Sequence, residues 1–159
     1  MAGRTVSLVE YRSLIGTEVG LSSWIEIDQA RINAFALTTL DSQSIHVDPE
    51  AAKSSVFGGT IAHGFLTLSL LSAMAQEALP QIEGAKTGVN YGINSLRFVA
   101  PVRSGKRVRG RFVLVAVSDR SPGVVQATLG VQVEIENEPK PASWRNGWCY
   151  SMSSPPETS

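Results

Sequence analysis

The chain has 159 residues, of which 43% are hydrophobic and 18% are charged. That length suits one domain with an apolar core and is short for two. The 14 Lys and Arg residues balance the 14 Asp and Glu residues, so the formal net charge is zero. The chain therefore lacks the basic excess of a nucleic-acid-binding protein. It is also too hydrophobic for a disordered one.

Cysteine and histidine are scarce, which limits the metal and redox chemistry that the sequence supports. The single cysteine, Cys149, has no partner for an intramolecular disulfide. The two histidines, His46 and His63, are too few for a histidine-based metal site without help from carboxylates, so we expect no metal. No secretory signal is recognised, and the uncharged stretch 54–76 is too interrupted to span a bilayer. We expect a soluble, cytoplasmic protein with no integral membrane segment.

Capping residues predict short helices in the first third of the chain. Ser7 and Glu10 form a capping-box pair, which predicts a helix over 8–15, and a short apolar strand follows at 24–27.

Two further helices begin at aspartates. Asp28 is a suitable N-cap for a helix that runs to about Thr39. Asp48 and Pro49 predict another start, because proline is tolerated at the first helical position, and this helix covers only 50–53.

The segment from Gly64 to Leu79 is apolar on all sides of a helix, interrupted only by small polar residues such as Thr67, Ser69 and Ser72. A helix that is hydrophobic all round is buried all round. We therefore predict a central helix, ended by the following proline, that the rest of the protein covers on every side.

The chain after Gly84 is predicted to form strands. Residues 124–136 alternate between apolar and polar side chains almost throughout, and 107–118 form a similarly long strand. A third strand ends before Pro101, and a fourth covers 144–152.

One apolar helix and four long antiparallel strands predict an α+β fold in which the sheet curls around the helix. The hot-dog fold has this architecture. We expect a single hot-dog domain over residues 1–152 and a flexible C-terminal tail over 153–159. A long sheet edge would favour a homodimer that joins two sheets.

The loop before the central helix carries the polar residues best suited to chemistry. Asp41 and His46 lie five residues apart and could hold and polarise one water molecule. The alternative is an Asx turn at Asp41 and an ordinary loop histidine at His46.

The start of the central helix is a second candidate. His63 and Gly64 open this helix, and the free backbone N–H groups there could stabilise a developing negative oxygen. The alternative is that glycine only ends the loop and allows the helix to begin.

Other chemistries find less support in the sequence. Cys149 has no histidine near it in the chain, so a packed thiol is favoured over a nucleophile. The chain also lacks a G-x-S-x-G nucleophile elbow and a phosphate-binding loop. Arg107, Arg109 and Arg111 share one strand face, where they are either solvated or available to ligand phosphates.

Three segments, in order along the chain, resemble motifs of the MaoC-like (R)-specific enoyl-CoA hydratases. They are D-S-Q-S-I-H-V-D-P-E-A-A at 41–52, F-G-G-T-I-A-H-G-F at 57–65 and N-Y-G-I-N-S-L-R-F-V-A-P-V at 90–102. The resemblance covers about residues 8–150. It is strongest to the branch that includes nodulation protein N-like proteins and small mycobacterial 3-hydroxyacyl-thioester dehydratases.

The resemblance implies a lyase that adds water reversibly to trans-2-enoyl thioesters, by syn addition, and gives (R)-3-hydroxyacyl thioesters. It implies that Asp41 and His46 are the catalytic pair, that the Gly64 N–H forms the oxyanion hole, and that Gln43 and His63 support them. It also implies a homodimer of fatty-acid or lipid metabolism. The substrate would be an enoyl-CoA or an enoyl-acyl-carrier-protein thioester, and no separate cofactor is expected.

The sequence departs from the family pattern at Leu40, where relatives often have glycine, at Ser44, where proline or tryptophan is common, and at Val99, where proline is frequent. Two alternative functions follow. One is a hot-dog acyl-CoA thioesterase, although the central helix carries no carboxylate before Glu77. The other is a non-catalytic subunit that binds acyl thioesters.

Overall fold

A computed structural model describes residues 4–153, apart from the side chains of residues 144–146. Residues 154–159 of the predicted tail and the side chain of Trp144 lie outside this description. No helix within residues 4–153 is long and apolar enough to cross a membrane.

The described chain places its short helices before its long strands. The helices are α1 (Leu8–Ser13), α2 (Gln29–Thr39), α3 (Ser44–Val47), α4 (Pro49–Lys53), α5 (Gly64–Ser69) and α6 (Leu71–Ala78). The strands are β1 (Thr5–Val6), β2 (Glu18–Leu21), β3 (Ile25–Ile27), β4 (Gln81–Ile82), β5 (Thr87–Phe98), β6 (Lys106–Ser121), β7 (Val124–Ile135) and β8 (Ser143–Ser153).

Helix starts in the first third follow the predicted capping chemistry. The Ser7 hydroxyl accepts from the Glu10 amide at 3.1 Å, and the Asp28 carboxylate accepts from the Arg31 amide at 2.7 Å. The Asp48 carboxylate accepts from the first amides of α4. Such caps commonly stabilise a helix by about 1 kcal/mol each. The caps at Asp28 and Asp48 fix the starts of α2 and α4, which pack against α3.

The main sheet is antiparallel, with the order β2-β6-β7-β8-β5, and β3 also pairs with β6. A separate pair, β1 with β4, is parallel. The predicted alternation of β7 is confirmed, since Leu129, Val131 and Val133 are buried opposite β6 and its buried residues Phe112 and Leu114. Burial of each such side chain contributes about 1.5–3 kcal/mol.

The sheet packs on α5 and α6, which is the predicted α+β hot-dog arrangement. The helix lies close to the strands where glycine allows it. A Cβ atom at Gly20 of β2 would lie 2.5 Å from the carbonyl oxygen of Ala78 in α6. That separation is too short for any side chain, so the approach of α6 to the sheet depends on this glycine.

The predicted central helix is present, but its predicted burial on every side is wrong for the single chain. It forms α5 and α6, which meet at Leu70. Leu66 and Met74 are buried against the sheet, whereas Phe65 is 63% exposed. The sheet of one chain covers only one side of the helix, so the other side remains accessible.

Strand β5 lies at the edge of the main sheet and is exposed along most of its length. Its exposed apolar side chains include Val89, Tyr91 and Ile93. A long apolar edge strand is an available pairing surface for another chain.

Candidate active site

Two buried histidines form the centre of the candidate site. His46 lies in α3, and His63 precedes the first residue of α5. Their rings stack with centroids 3.8 Å apart and planes inclined by 27°. The ring of Phe35, from α2, packs beside His63 at 5.1 Å. The fold thus brings together histidines that are 17 positions apart in the sequence.

Asp41 lies next to this pair, in the segment that follows α2. Its Oδ2 atom is 4.0 Å from His63 Nε2, and its side chain is 43% exposed. One ligating atom of Asp41 lies within 4.8 Å of one from His46 and one from His63. The structure therefore brings the predicted pair, Asp41 and His46, close together, and Asp41 adds a carboxylate to the two histidines.

Backbone carbonyls hold both imidazole rings in place. His46 Nδ1 lies 2.7 Å from the carbonyl oxygen of Ile61, and His63 Nε2 lies 2.9 Å from the carbonyl oxygen of Asp41. A carbonyl only accepts, so these ring nitrogens carry the donated protons. In the neutral rings, His46 Nε2 and His63 Nδ1 are then free to accept a hydrogen bond.

His63 Nδ1 is buried and has no hydrogen-bond partner within the part of the chain that the structure describes. A buried polar atom left unpaired costs about 1–3 kcal/mol. Such a cost is common at functional sites, where a substrate or an ion supplies the missing partner.

Gln43, predicted as a supporting residue, contacts the carboxylate of Asp41. Its side-chain amide donates to Asp41 Oδ1 at 3.1 Å. Oδ2, the atom nearer to His63, is left for other contacts. The amide of Gln43 thus fixes the carboxylate orientation beside the histidines.

Gly64 is the first residue of α5, and its amide makes no hydrogen bond to the described residues. A Cβ atom at this position would lie 2.9 Å from the ring of Phe98. The lack of a side chain therefore lets Phe98, at the end of β5, lie against the helix start. An amide at this place can donate to a ligand oxygen.

Gln29 is a positioning residue that the sequence did not reveal. Its side-chain amide donates to the carbonyl oxygen of His46 at 2.7 Å and to the side chain of Asn33 at 2.8 Å. Its own oxygen accepts from the Thr60 hydroxyl at 2.5 Å. Gln29 thereby joins α2, α3 and the loop before α5. These partners lie up to 31 positions away in the sequence, so no local pattern identifies them.

The three arginines of β6 are paired with carboxylates. Arg107 binds Glu136, Arg109 binds Glu134, and Arg111 binds both Glu134 and Glu18. The carboxylates neutralise the three arginines. The alternative in which these arginines bind ligand phosphates therefore has no support in the structure.

The glutamates of this row have lowered pKa values. Burial by itself would raise the pKa of Glu134, but hydrogen bonds from Arg111 and Arg109 outweigh it and hold the pKa below 4.5. The hydrogen bond from Arg107 lowers the pKa of Glu136.

A cavity of about 440 Å³ opens at the far end of α6, beside the first residues of β5. Its wall includes Tyr11, Ala75, Asn90, Tyr150 and Met152. Burial is the main cause that raises the pKa of Tyr11 to about 12, and the nearby Tyr150 adds to the effect. Burial also raises the pKa of Tyr150. Both phenols are therefore neutral at physiological pH, and the cavity combines an apolar wall with phenol and amide groups.

Comparison with known proteins identifies related sequences over most of the chain. The model of the MaoC-like domain matches residues 10–135. Nodulation protein N of Rhizobium meliloti is 50% identical over 151 residues, which are 94% of each chain. The 3-hydroxyacyl-thioester dehydratase Z of Mycobacterium tuberculosis is 47% identical over 136 residues, or 86% of this chain and 89% of the relative. An (R)-specific enoyl-CoA hydratase of Rhodospirillum rubrum is 31% identical and covers 70% of this chain and 76% of its own length.

Solved structures share the fold. A MaoC-like dehydratase from Rhodospirillum rubrum superposes with a TM-score of 0.74 at 23% identity, over 94% of this chain and 99% of that one. The (R)-hydratase from A. caviae involved in PHA biosynthesis superposes with a TM-score of 0.66 at 26% identity, over 87% of this chain and 97% of that one. The predicted hot-dog fold is thereby confirmed.

Proposed function

Because the chain belongs to the MaoC-like dehydratase family, whose members are lyases, we propose that it is an (R)-specific enoyl-thioester hydratase. The reaction adds water to a trans-2-enoyl thioester to give the (R)-3-hydroxyacyl thioester, and it runs in reverse as a dehydration. The single observation that carries this proposal is the grouping of Asp41, His46 and His63 beside the free amide of Gly64.

Water activation is assigned to Asp41 and His46. Gln43 contacts the other carboxylate oxygen of Asp41, and Ile61 contacts the other ring nitrogen of His46. Asp41 Oδ2 and His46 Nε2 can therefore hold one water molecule as hydrogen-bond acceptors. As the water oxygen forms its bond to C3, one of its protons passes to this pair. The pair then returns a proton to C2, which leaves the catalytic groups unchanged after one turnover. Positioned acid–base groups of this kind commonly accelerate a reaction by about 10²–10⁴-fold.

Stabilisation of the intermediate is assigned to the start of α5. Attack at C3 moves negative charge onto the thioester oxygen. The Gly64 N–H is available to donate to that oxygen, and one preorganised donor of this type lowers the barrier by about 3 kcal/mol. Gln43 and His63 support the pair, because one fixes the carboxylate of Asp41 and the other binds its backbone carbonyl.

Syn addition follows from the same arrangement, and the (R) configuration is proposed from the relationship to the (R)-specific hydratase. Asp41 and His46 belong to one short segment, so both contact the same water on one face of the substrate. The contact between the thioester oxygen and Gly64 fixes the plane of the conjugated system. The hydroxyl group and the proton then add to the same side.

The proposed substrate is an acyl thioester of coenzyme A or of acyl carrier protein, and we propose no separate cofactor. Coenzyme A would be part of the substrate. We also place the protein in the cytoplasm, within fatty-acid or lipid metabolism. The relative named as a 3-hydroxyacyl-thioester dehydratase supports the thioester class.

We further propose a homodimer in which the β5 strands of two chains pair. The exposed edge of β5 supports this assembly. Antiparallel pairing about a two-fold axis would bring the Thr87 end of one β5 near the Phe98 end of the other. The cavity of one protomer, which lies at the Thr87 end, would then approach the catalytic group of its partner and could accept the acyl chain.

The test is hydration of crotonyl-CoA by Asp41→Asn and His46→Gln variants, followed as loss of the conjugated enoyl absorbance. We expect turnover to fall by about 10²–10⁴-fold while the melting temperature barely changes. Asp48→Asn is the matched control, because this aspartate lies outside the cluster and asparagine also caps helices. Near-normal turnover in either variant would remove that residue from its role. Release of free thiol without hydration would instead indicate the thioesterase alternative.

A further inference from the structure

The cavity at the end of α6 carries hydrogen-bonding groups beside apolar ones. Ala75, Leu79 and Met152 line it together with two phenols, those of Tyr11 and Tyr150. A cavity for a plain hydrocarbon chain needs no hydrogen-bonding groups, and burying them without partners costs free energy. Polar groups in an apolar cavity commonly orient a ligand and determine its specificity. The phenols therefore indicate a ligand that forms hydrogen bonds inside the cavity.

Tyr11, from α1, is the more deeply buried of the two phenols. Its side chain is almost fully buried, at 1% exposure, yet its hydroxyl forms no hydrogen bond to any residue that the structure describes. The pKa of Tyr11 is about 12, mainly because the residue is buried and also because Tyr150 lies nearby. The hydroxyl thus keeps its proton at physiological pH and is available as a donor.

Tyr150, from β8, lies over a glycine of β5. A Cβ atom at Gly88 would lie 1.7 Å from the Tyr150 oxygen, so the hydroxyl occupies the space that another side chain would take. The ring of Tyr150 packs beside that of Trp148, with centroids 5.7 Å apart. Its hydroxyl also has no hydrogen-bond partner among the described residues. Two hydroxyls without protein partners therefore line the same cavity.

The surroundings of these hydroxyls favour a neutral ligand group. Burial raises the pKa of both tyrosines, which shows that the cavity disfavours negative charge. Lys86 also lines the cavity, but its side chain is exposed. The remaining polar contact is neutral, since the side-chain amide of Asn90 donates to the Ser72 hydroxyl at 3.0 Å. A hydroxyl or keto oxygen suits this cavity better than a carboxylate does.

We propose that the cavity selects acyl chains that carry a neutral oxygen group, a hydroxyl or a keto group, towards their distal end. The hydroxyls of Tyr11 and Tyr150 donate to that oxygen, and the apolar wall contacts the methylene groups before it. This inference rests on the proposed function, which places the acyl chain of an enoyl thioester in the cavity. Tyr11 and Tyr150 then determine substrate specificity.

Pairs of enoyl-CoA substrates with equal chain lengths test the selection. One member of each pair ends in a methyl group and the other in a hydroxyl group, from hexenoyl to dodecenoyl. We expect kcat/KM to be at least about fivefold higher for the hydroxylated member at one or more chain lengths. Tyr11→Phe and, separately, Tyr150→Phe should lower this ratio about two- to tenfold, because each removes one hydrogen bond.

Tyr91→Phe is the matched control. The Tyr91 hydroxyl accepts from Arg120, and Tyr91 does not line this cavity, so the ratio should be retained. Phenylalanine keeps the ring in each variant, and an unchanged melting temperature shows that the wall is intact. Equal kcat/KM for the two members at every chain length, or a ratio that survives both cavity substitutions, would overturn the proposal. A higher kcat/KM for a terminal carboxylate would also overturn it.

Binding of saturated acyl-CoA pairs separates this inference from hydration, because a saturated thioester cannot add water. Calorimetric titration should show tighter binding of the hydroxylated member, and Tyr11→Phe should reduce the difference. Hydration of crotonyl-CoA without any preference in kinetics or binding would contradict the cavity proposal alone. A preference in binding that Tyr11→Phe removes, without hydration of any enoyl chain, would support the cavity proposal and contradict the proposed function.

Discussion

Leu40 holds a left-handed backbone conformation immediately before Asp41. Its φ is 62° and its ψ is 20°, and its side chain is 87% exposed. This conformation costs an L-residue about 1–2 kcal/mol, which explains why glycine is frequent where a helix ends in this way. The sequence departs from the family pattern at a position where the backbone itself favours glycine.

We expect Leu40→Gly to raise the free energy of unfolding by about 0.5–1 kcal/mol. Relief of the left-handed strain outweighs the greater entropy of glycine in the unfolded chain. Urea denaturation measures the effect. Leu37→Gly is the control, because Leu37 is exposed inside α2 and glycine there should cost about 1 kcal/mol. Destabilisation by both substitutions would show that Leu40 makes a stabilising contact.

Gln29 gives a second prediction at the level of single residues. Gln29→Ala removes the donor to the His46 carbonyl and the acceptor for Thr60, so His46 loses its fixed position. We expect kcat to fall about tenfold with little change in KM, since a small displacement at a reacting group is costly. Steady-state kinetics with crotonyl-CoA measure both constants.

Asn33→Ala is the matched control for Gln29, because Asn33 accepts from Gln29 but does not contact His46 in the described chain. It should retain near-normal kcat. An equal loss of kcat in both variants would indicate a general effect on α2 rather than the positioning of His46.

The residues of the candidate site show how much of it could be predicted from the sequence. The Asp41–His46 spacing and the glycine at 64 predicted the candidate site, because such motifs are local. The stack of His46 on His63 and the bridge through Gln29 depend on contacts between distant segments. No periodicity or capping signal carries that information.

Strands β6 and β7 carry a row of ion pairs that makes the free energy of unfolding depend on pH. Arg109 and Arg111 share Glu134, and Arg107 pairs with Glu136. The hydrogen bonds from these arginines hold the pKa values of both glutamates below the usual value for a glutamate in the folded protein. Their stabilising contribution is therefore complete above the pKa of the unfolded chain and is lost as pH falls through the lower folded pKa.

We expect the free energy of unfolding to decrease below about pH 4.5, and Glu134→Gln to weaken that dependence. The substitution should cost about 1 kcal/mol at pH 7 and less at pH 3, because the contribution of the ion pairs is lost as pH falls through the lowered pKa of the Glu134 carboxyl group. Urea denaturation at both pH values measures the difference. An equal cost at the two values would mean that packing, and not the ion pairs, explains the loss.

Among the helices and strands, the sequence predicted those with a repeating pattern of apolar and polar residues and missed those too short to show one. The strict alternation of 124–136 predicted β7 because the two faces of a strand meet different surroundings. The four-residue helix α3 was missed, since one turn gives no helical periodicity. Burial of the central helix on every side was wrong, because an apolar pattern does not tell whether the same chain or a second one supplies the cover.

Assembly of the whole molecule gives a further prediction. If β5 pairs with a second copy, light scattering at micromolar concentration should give twice the mass of one chain. Ile93→Lys places a charge on the exposed edge strand and should yield a monomer with reduced hydratase activity. Val115→Lys is the control, since Val115 is similarly exposed but lies in β6, inside the sheet. A monomeric mass for the unchanged protein would contradict the dimer.

Stereospecific hydration is the activity that we propose for the molecule as a whole. The most direct measurement is hydration of crotonyl-CoA with the product coupled to dehydrogenases of opposite stereospecificity. The proposed function predicts loss of the enoyl absorbance, no NADH with an (S)-3-hydroxyacyl-CoA dehydrogenase, and consumption of the product by an (R)-specific reductase run in reverse. Rapid NADH formation with the (S)-enzyme, or no loss of absorbance with short or long enoyl chains, would contradict the proposed function.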